Sequence, residues 1–316
     1  MGFLRVLETI RTPFWDAVFQ FVTVLGEETV FMVLAMIVFW CVNKRHGYFL
    51  LYISFFGAII NQFLKLIFCV PRPWLMDEQF TIVESAREAA TGYSFPSGHT
   101  QSAGGLFLGI GRLVHDTGLR IVCVVLVLLV AFSRMYLGVH TPADVLVSLG
   151  VATLLVMGAS PFFHRAWTHS WKWYVPLVGV LLGLATALLL YAECFPLPAN
   201  AIPEFSAHGV GTAYRMLGAS LGYALILWLD TRYLHFDVKA VWWAQILKVF
   251  LGLALVVGIR TLLKNPLLAL TGGHAAADGI RYFLMVAAGG ALWPLTFPLF
   301  AGAGRKPAAQ PLDTDQ

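Results

Sequence analysis

A chain of 316 residues that is 59% apolar and only 12% charged, with a mean hydropathy of +0.76, falls outside soluble globular composition and inside that of polytopic membrane proteins. Its net charge of +4 comes from scattered Lys and Arg residues, so it carries no basic stripe for nucleic acid, and that partner is excluded. The four cysteines, Cys41, Cys69, Cys123 and Cys194, are isolated and form no CxxC pair; they read as packing residues.

No charged region, apolar run and small-residue cleavage site open the chain, so no removable signal peptide is expected. Val6 breaks the myristoylation pattern that Met1-Gly2 begins. Ile10 to Leu25 is short and holds Asp16, which predicts an amphipathic helix at the membrane interface. After Gly26-Glu27-Glu28, the first span is Thr29 to Val42 and the second Gly47 to Cys69, closed by Pro71 and Pro73. Trp74 to Phe95 is polar and holds five ionisable residues, so it is an extramembrane loop, the longest one.

Three more spans follow at Gly98 to Val114, Leu119 to Gly138 and Pro142 to Phe163, joined by short turns. The second half continues with Tyr174 to Tyr191, Gly209 to Leu229, Val241 to Leu263 and Gly279 to Phe300. The expected fold is therefore an all-α polytopic helical bundle of about nine spans, with the catalytic core in the second to fifth. Gly218 and Gly222, like Gly104-Gly105, are small residues that let helices approach closely.

Four regions are expected: an interfacial segment over 1–28, a core over 29–170, additional transmembrane helices over 171–304 and a disordered tail over 305–316. Loop parity gathers Lys44, Arg45, Arg112, Arg120, Arg165, Lys172, Arg232, Lys239, Arg305 and Lys306 on one side, which the positive-inside rule makes cytoplasmic. The long loop and the opening stretch then face outside.

Three polar motifs fall on that outer side. Lys65 and Arg72 stand at the exit of the second span, and Pro96-Ser97-Gly98-His99 at the entrance of the third. Ser133-Arg134, His140 and Asp144 bridge the fourth and fifth. Ionisable groups at this depth cost several kcal/mol, on the order of the penalties known for intramembrane charge, and mark a task. Three cations, two of them planar guanidinium forks, suit a phosphoryl group whose charge is spread over three oxygens. Ser97 is a natural helix N-cap, the amides after it face an anion, and Gly98 permits close backbone approach. Asp144, four residues after His140, is close enough to hold one ring nitrogen protonated and leave the other free.

Each residue taken singly has a structural alternative. Lys65, Arg72 and Arg134 are placed to snorkel or to compensate helix C-termini, and Ser97 to cap. Thr141-Pro142-Ala143-Asp144 reads as a capping box, a role compatible with orienting His140. At the outer ends of the later helices, Glu204, His208, Arg215, Arg260 and Arg281 are expected mainly as structural ion pairs, with headgroup contact as the alternative. Lys248 is expected to snorkel, while Tyr93 and Ser94 are weaker candidates for the site mouth.

Taken jointly, KxxxxxxRP, PSGH and SRxxxxxHxxxD are complete and in order over Lys65 to Asp144, and they resemble the type 2 phosphatidic acid phosphatase superfamily. The helices after Trp173 are similar in layout to longer members such as sphingosine-1-phosphate phosphatases and glucose-6-phosphatase. The resemblance implies that His140 is the nucleophile and forms a phosphohistidine. It further implies that His99 protonates the leaving group and later activates water, with Asp144 supporting His140. Lys65, Arg72, Ser97, Gly98 and Arg134 bind the phosphoryl group in that scheme, which needs no metal or cofactor.

The expected function is that of an integral membrane phosphatase, in the cytoplasmic membrane if bacterial. It would hydrolyse a lipid-linked phosphomonoester or diphosphate at the non-cytoplasmic face. A soluble phosphate ester is the close alternative, and a non-enzymatic lipid-phosphate binder or transporter the distant one. Membrane lipids are the remaining partners, and oligomeric state is not legible.

Overall fold

The computed structural model describes residues 1–196, 198 and 201–302; the expected tail over 305–316 lies outside them. Among the described residues the fold is helical throughout, with no strand. The first half comprises α1 (Gly2–Thr9), α2 (Pro13–Val24), α3 (Glu28–Ile37, prolonged by a π-helical turn Val38–Val42) and α4 (Lys44–Phe68). A short α5 (Pro73–Met76) lies in the long loop between α4 and α6. Then come α6 (Gly98–Ala103), a π turn Gly104–Leu108, α7 (Gly109–Leu113), α8 (Thr117–Tyr136) and α9 (Pro142–Thr168). The second half holds α10 (Tyr174–Cys194), α11 (Pro203–Leu229), α12 (Trp242–Leu262), α13 (Lys264–Leu270), α14 (Ala276–Ala287) and α15 (Phe297–Gly302).

All nine expected spans are helical, but length and apolarity alone qualify six of the described helices for crossing a membrane. A seventh is reached when α2 and the α3 helix, bent by 47° at Gly26-Glu27, are counted as one. The expected spans that fall short are those packed inside protein. Gly98 to Leu113 is short, a continuous helix with a π turn at Gly104–Leu108, and it buries Thr100, Gln101 and Ser102. The helix α11 is rich in Gly and Ser and buries Ser206, Ser220 and Tyr223. A helix surrounded by other helices need not be apolar toward lipid.

The core wraps α4. Its residues Tyr48 to Ile53 are buried around the whole helix, against Phe39, Phe163 and Tyr223. In α8, Cys123, Val127, Val130 and Arg134 recur at intervals of four, three and four, so they share the buried face while Ile121, Val125 and Leu128 face outward. Arg134 is thus carried inward by the same stripe that packs the helix.

The small residues work as expected. A side chain at Gly218 would collide with the Gly279 carbonyl of α14, and a Cβ at Gly222 would lie 2.8 Å from Val286 Cβ. A Cβ at Gly104 would meet Ala152 Cβ of α9 at 2.7 Å.

Lys248 differs from expectation. It does not snorkel: it is fully buried, and its ammonium donates to the carbonyls of Trp40 (2.8 Å) and Val238 (2.9 Å) and to Gln245 Oε1 (3.0 Å). The Trp40 carbonyl lies in the π turn that ends the third helix, where helix carbonyls lack intrahelical partners, and the lysine satisfies it from inside.

The N-terminal segment lies over the outer end of α8. Asp16 accepts a hydrogen bond from the Tyr136 hydroxyl (3.0 Å), and Gly26 abuts Val130, so the segment descends about 9 Å along α8 at 1.5 Å per residue. Arg5 pairs with Asp77 of the long loop at 2.6 Å, and Arg11 donates to the Tyr136 carbonyl at 2.9 Å.

Replacing Gly218 by Leu should force α11 and α14 apart and destabilise the protein by about 1–3 kcal/mol, the usual scale of overpacking. Gly150→Ala, where nothing lies within 4 Å of the added carbon, should leave thermal unfolding in detergent unchanged.

Candidate active site

The helix α4 stops at Cys69, in the left-handed region with φ 45°, and the chain turns back before Arg72. The Arg72 guanidinium, 2% exposed, is held by backbone oxygens from two loops. Nε donates to Gly92 O at 3.0 Å, Nη2 to Thr91 O at 2.7 Å and Nη1 to Val139 O at 3.1 Å. One turn before the end of α4, Lys65 Nζ donates to Tyr93 O at 2.6 Å. Both cations are therefore pinned by the 91–93 turn without a carboxylate bound to either.

Arg72 Nη1 also lies 2.9 Å from His140 Nε2. A guanidinium only donates, so Nε2 carries the lone pair and the ring proton sits on Nδ1. Nδ1 faces Asp144 Oδ2 at 3.4 Å, a distance that is often loose in unliganded sites. The same carboxylate oxygen accepts from Ser94 Oγ (2.6 Å) and from the Thr141 amide (2.8 Å). Thr141 Oγ1 accepts in turn from the Asp144 amide, completing the capping box of α9. Asp144 thus caps the helix and orients His140 at once. Burial, and after it Arg72, Arg134 and Lys65, hold the His140 imidazole well below its ordinary range, hence neutral, with its Nε2 lone pair accepting from Arg72.

Ser97 caps α6: its Oγ accepts from Thr100 Oγ1 at 2.9 Å and from the Thr100 amide at 3.4 Å, while its own amide donates to the Asp144 carbonyl at 3.2 Å. Ser148 Oγ bridges the Ser97 and Asp144 carbonyls at 2.9 and 2.8 Å, fastening the start of α6 to α9. That clasp brings the second and third motifs together.

Arg134, fully buried, donates from Nη1 to Thr23 Oγ1 at 2.7 Å. Its Nε and Nη2, like His99 Nε2, are buried and meet no hydrogen-bond acceptor among the described residues. Donors buried without acceptors cost about 1–3 kcal/mol each, so such a cluster is built for a ligand that accepts.

Lys65, Arg72, Gly98, His99 and His140 line one end of a cavity of about 660 Å³. Ser97, Arg134 and Asp144 are buried and do not line it. All eight residues singled out in the sequence thus meet at one end of the bundle, five on the cavity wall and three outside it. Among the described residues, no three His, Cys, Asp or Glu side chains gather as metal ligands.

Several contributors were not legible as site residues. Ser94, a weak candidate in the sequence, is the direct partner of Asp144. Thr23 and the Gly26 elbow come from the segment expected to lie apart at the interface. A Cβ on Gly26 would fall 2.8 Å from the His99 carbonyl, so only glycine lets the bend sit there, and Glu27 and Glu28 then stand on the cavity wall. Of Glu204, His208, Arg215, Arg260 and Arg281, only Arg281 forms an ion pair among the described residues, with Asp278 at 2.5 Å. Arg215 donates to Thr212 Oγ1 at 2.6 Å and leaves Nε without a partner there; together with His208 and Arg260 it lines the cavity.

Comparison with known proteins agrees with this geometry. The PAP2 superfamily profile matches residues 46–168, and the profile described as PAP2 superfamily phosphatase, transmembrane extension matches residues 214–305. The chain is 28% identical over 244 residues to a probable sphingosine-1-phosphate phosphatase of Dictyostelium discoideum, covering 72% of this chain and 57% of that protein. It is 36% identical over 99 residues to the undecaprenyl-diphosphatase BcrC of Bacillus subtilis, covering 31% and 48%. It is also 26% identical over 195 residues to a dihydrosphingosine 1-phosphate phosphatase of Schizosaccharomyces pombe, covering 57% and 46%. The chain thus spans about half the length of the curated relatives it matches. No solved structure matches it. The motif residues that converge at the head of the cavity lie within or beside the first matched region, and the chain is an integral membrane member of the PAP2 superfamily.

Proposed function

We propose that the protein is a phosphatase that hydrolyses a lipid-linked phosphomonoester or diphosphate at the non-cytoplasmic face of the membrane and releases inorganic phosphate. The observation that carries this reading is the excess of buried donors over acceptors around His140. Lys65 and Arg72 are held by backbone carbonyls, with no carboxylate bound to either among the described residues, and the unpartnered nitrogens of Arg134 await an acceptor. A phosphoryl group supplies such acceptors, most strongly in the transition state.

In this scheme His140 Nε2 attacks phosphorus as the bond to the leaving oxygen breaks, and His99 Nε2 delivers a proton to that oxygen. Asp144 steadies the imidazolium character that develops on His140. Water activated by His99 then displaces the phosphoryl group, the N–P bond breaks, and phosphate departs. The amide of Gly98 at the start of α6 and the cations Lys65, Arg72 and Arg134 hold the phosphoryl oxygens throughout, with Ser97 fixing the helix start. No step in this scheme calls on a metal.

The regional reading follows: 29–170 carries the chemistry and 171–304 supports it, in keeping with the two matched profiles. Residues 1–28 serve the site as well, through Thr23 and Gly26. The relatives bearing lipid phosphatase and diphosphatase names support a lipid substrate.

Purified protein in detergent with EDTA should release phosphate from members of a panel of lipid phosphates and lipid diphosphates, and His140→Ala should abolish release. A preference for glucose 6-phosphate over every lipid would replace the lipid reading with the soluble one. Arg134→Gln should lower kcat/KM about 10²–10³-fold, the scale for loss of a transition-state donor. Thr23→Val should lower it about tenfold with KM nearly unchanged, since it frees the Arg134 fork without removing it.

A further inference from the structure

The cavity that begins at His140 does not end there. Along α4 its wall is formed successively by Leu51, Phe55, Ala58, Gln62 and Lys65, one stripe at helical spacing. From Lys65 to Leu51 is fourteen residues, or about 21 Å at 1.5 Å per residue. The space therefore runs from the outer end deep into the bundle, about two-thirds of a hydrocarbon core about 30 Å thick. Polar lining gives way to apolar lining over that length: Met32 and Met36 come from α3, Leu253 and Val256 from α12, and Met285 and Val286 from α14.

The deep end borders a packed layer. The Trp40 indole donates to Gly289 O at 2.9 Å, and Gly252 of α12 packs where a Cβ would lie 2.7 Å from the Trp40 ring. Lys248 locks the same layer through the Trp40 carbonyl. This layer pins the inner half of α12. Of the six helical stretches qualifying as spans, the one containing α12 is the least buried, 11% against 22–39% for the rest. The chamber lies between α12, α3 and α4, each of which contributes to its lining.

We infer that this chamber receives the hydrocarbon tail of the substrate inside the protein, one aliphatic chain at a time, with the Trp40–Gly289 floor setting the longest chain accommodated. The inference rests on the phosphatase reading for the headgroup and assigns the tail a site of its own. Continuity with the reacting end argues for the occupant: the space that leads inward from His140 and Lys65 becomes apolar toward Phe39, Leu51 and Ile226. About 660 Å³ drawn out over about 21 Å is a narrow passage, suited to a single chain, so single-chain lipid phosphates are the favoured class. The transmembrane extension then has a function of its own, since α12 and α14 supply one wall.

The test uses long-chain alkyl phosphates bearing a terminal diazirine, bound to full-length His140→Ala protein in detergent, with photolabel mapped by mass spectrometry. Label should concentrate on Phe39, Trp40 and Ile226 at the floor and fall at least fivefold under excess vanadate, a phosphate mimic. Val256→Phe and Met285→Trp should each cut floor labelling at least tenfold, whereas the outward-facing Ile246→Phe should not. In otherwise native protein, the same two chamber variants should shift the ratio of long-chain to short-chain kcat/KM at least tenfold toward short chains. Label spread over outward faces of α9 and α10, or equal competition by a two-chain lipid phosphate, would overturn the inference while leaving phosphate release intact. Floor labelling in a protein whose native form releases no phosphate would instead sink the phosphatase reading and leave the tail site standing.

Discussion

The crowding of cations around His140 inside an apolar bundle, with Arg72 and Arg134 buried and Lys65 half-buried beside them, is the constraint on which the rest of the structure depends. In an apolar bundle each unneutralised charge is expensive, and like charges in proximity raise the cost. The fold meets this with oxygens that carry no charge: the carbonyls of Thr91, Gly92, Tyr93 and Val139 and the hydroxyl of Thr23. These hold geometry without cancelling charge. The result is a site whose electrostatic deficit is left for an anion to fill, with His140 kept neutral first by its burial and then by the same cations.

Much of this arrangement was legible in the sequence because it is local. The inward position of Arg134 follows from the four-three-four spacing of Cys123, Val127 and Val130 before it. The capping box of Thr141 and Asp144 follows from their separation, as does the reach of Asp144 to His140. The close helix crossing at Gly218 and Gly222 follows from the need for small residues where backbones meet. What was not legible depends on chain segments far apart. Thr23 meets Arg134 across 111 residues, and nothing in the apolar pattern of α2 marks it. Lys248 looked like a residue near a membrane boundary, yet its use is set by carbonyls at the end of another helix. Arg215 and Arg260 look like half of ion pairs until the structure puts no carboxylate against them among the described residues.

The N-terminal segment and the transmembrane extension enter the site from opposite ends. The bend at Gly26 closes over His99 and brings Thr23 to Arg134, so the outermost helices complete the headgroup end. The extension builds one wall of the cavity beneath it, and its Gly289 carbonyl accepts from the Trp40 indole. The span count reflects the same division. The qualifying helices are long and apolar, whereas α6–α7 is short and α11 carries more Gly and Ser, yet both lie within the bundle.

The most direct test of the central claim is to trap the covalent intermediate by rapid acid-free quench of protein mixed with a ³²P-labelled lipid phosphate. The account predicts base-stable, acid-labile phosphate on His140, absent in His140→Ala. Turnover without any label on His140, or label on another residue in the native protein, would contradict it.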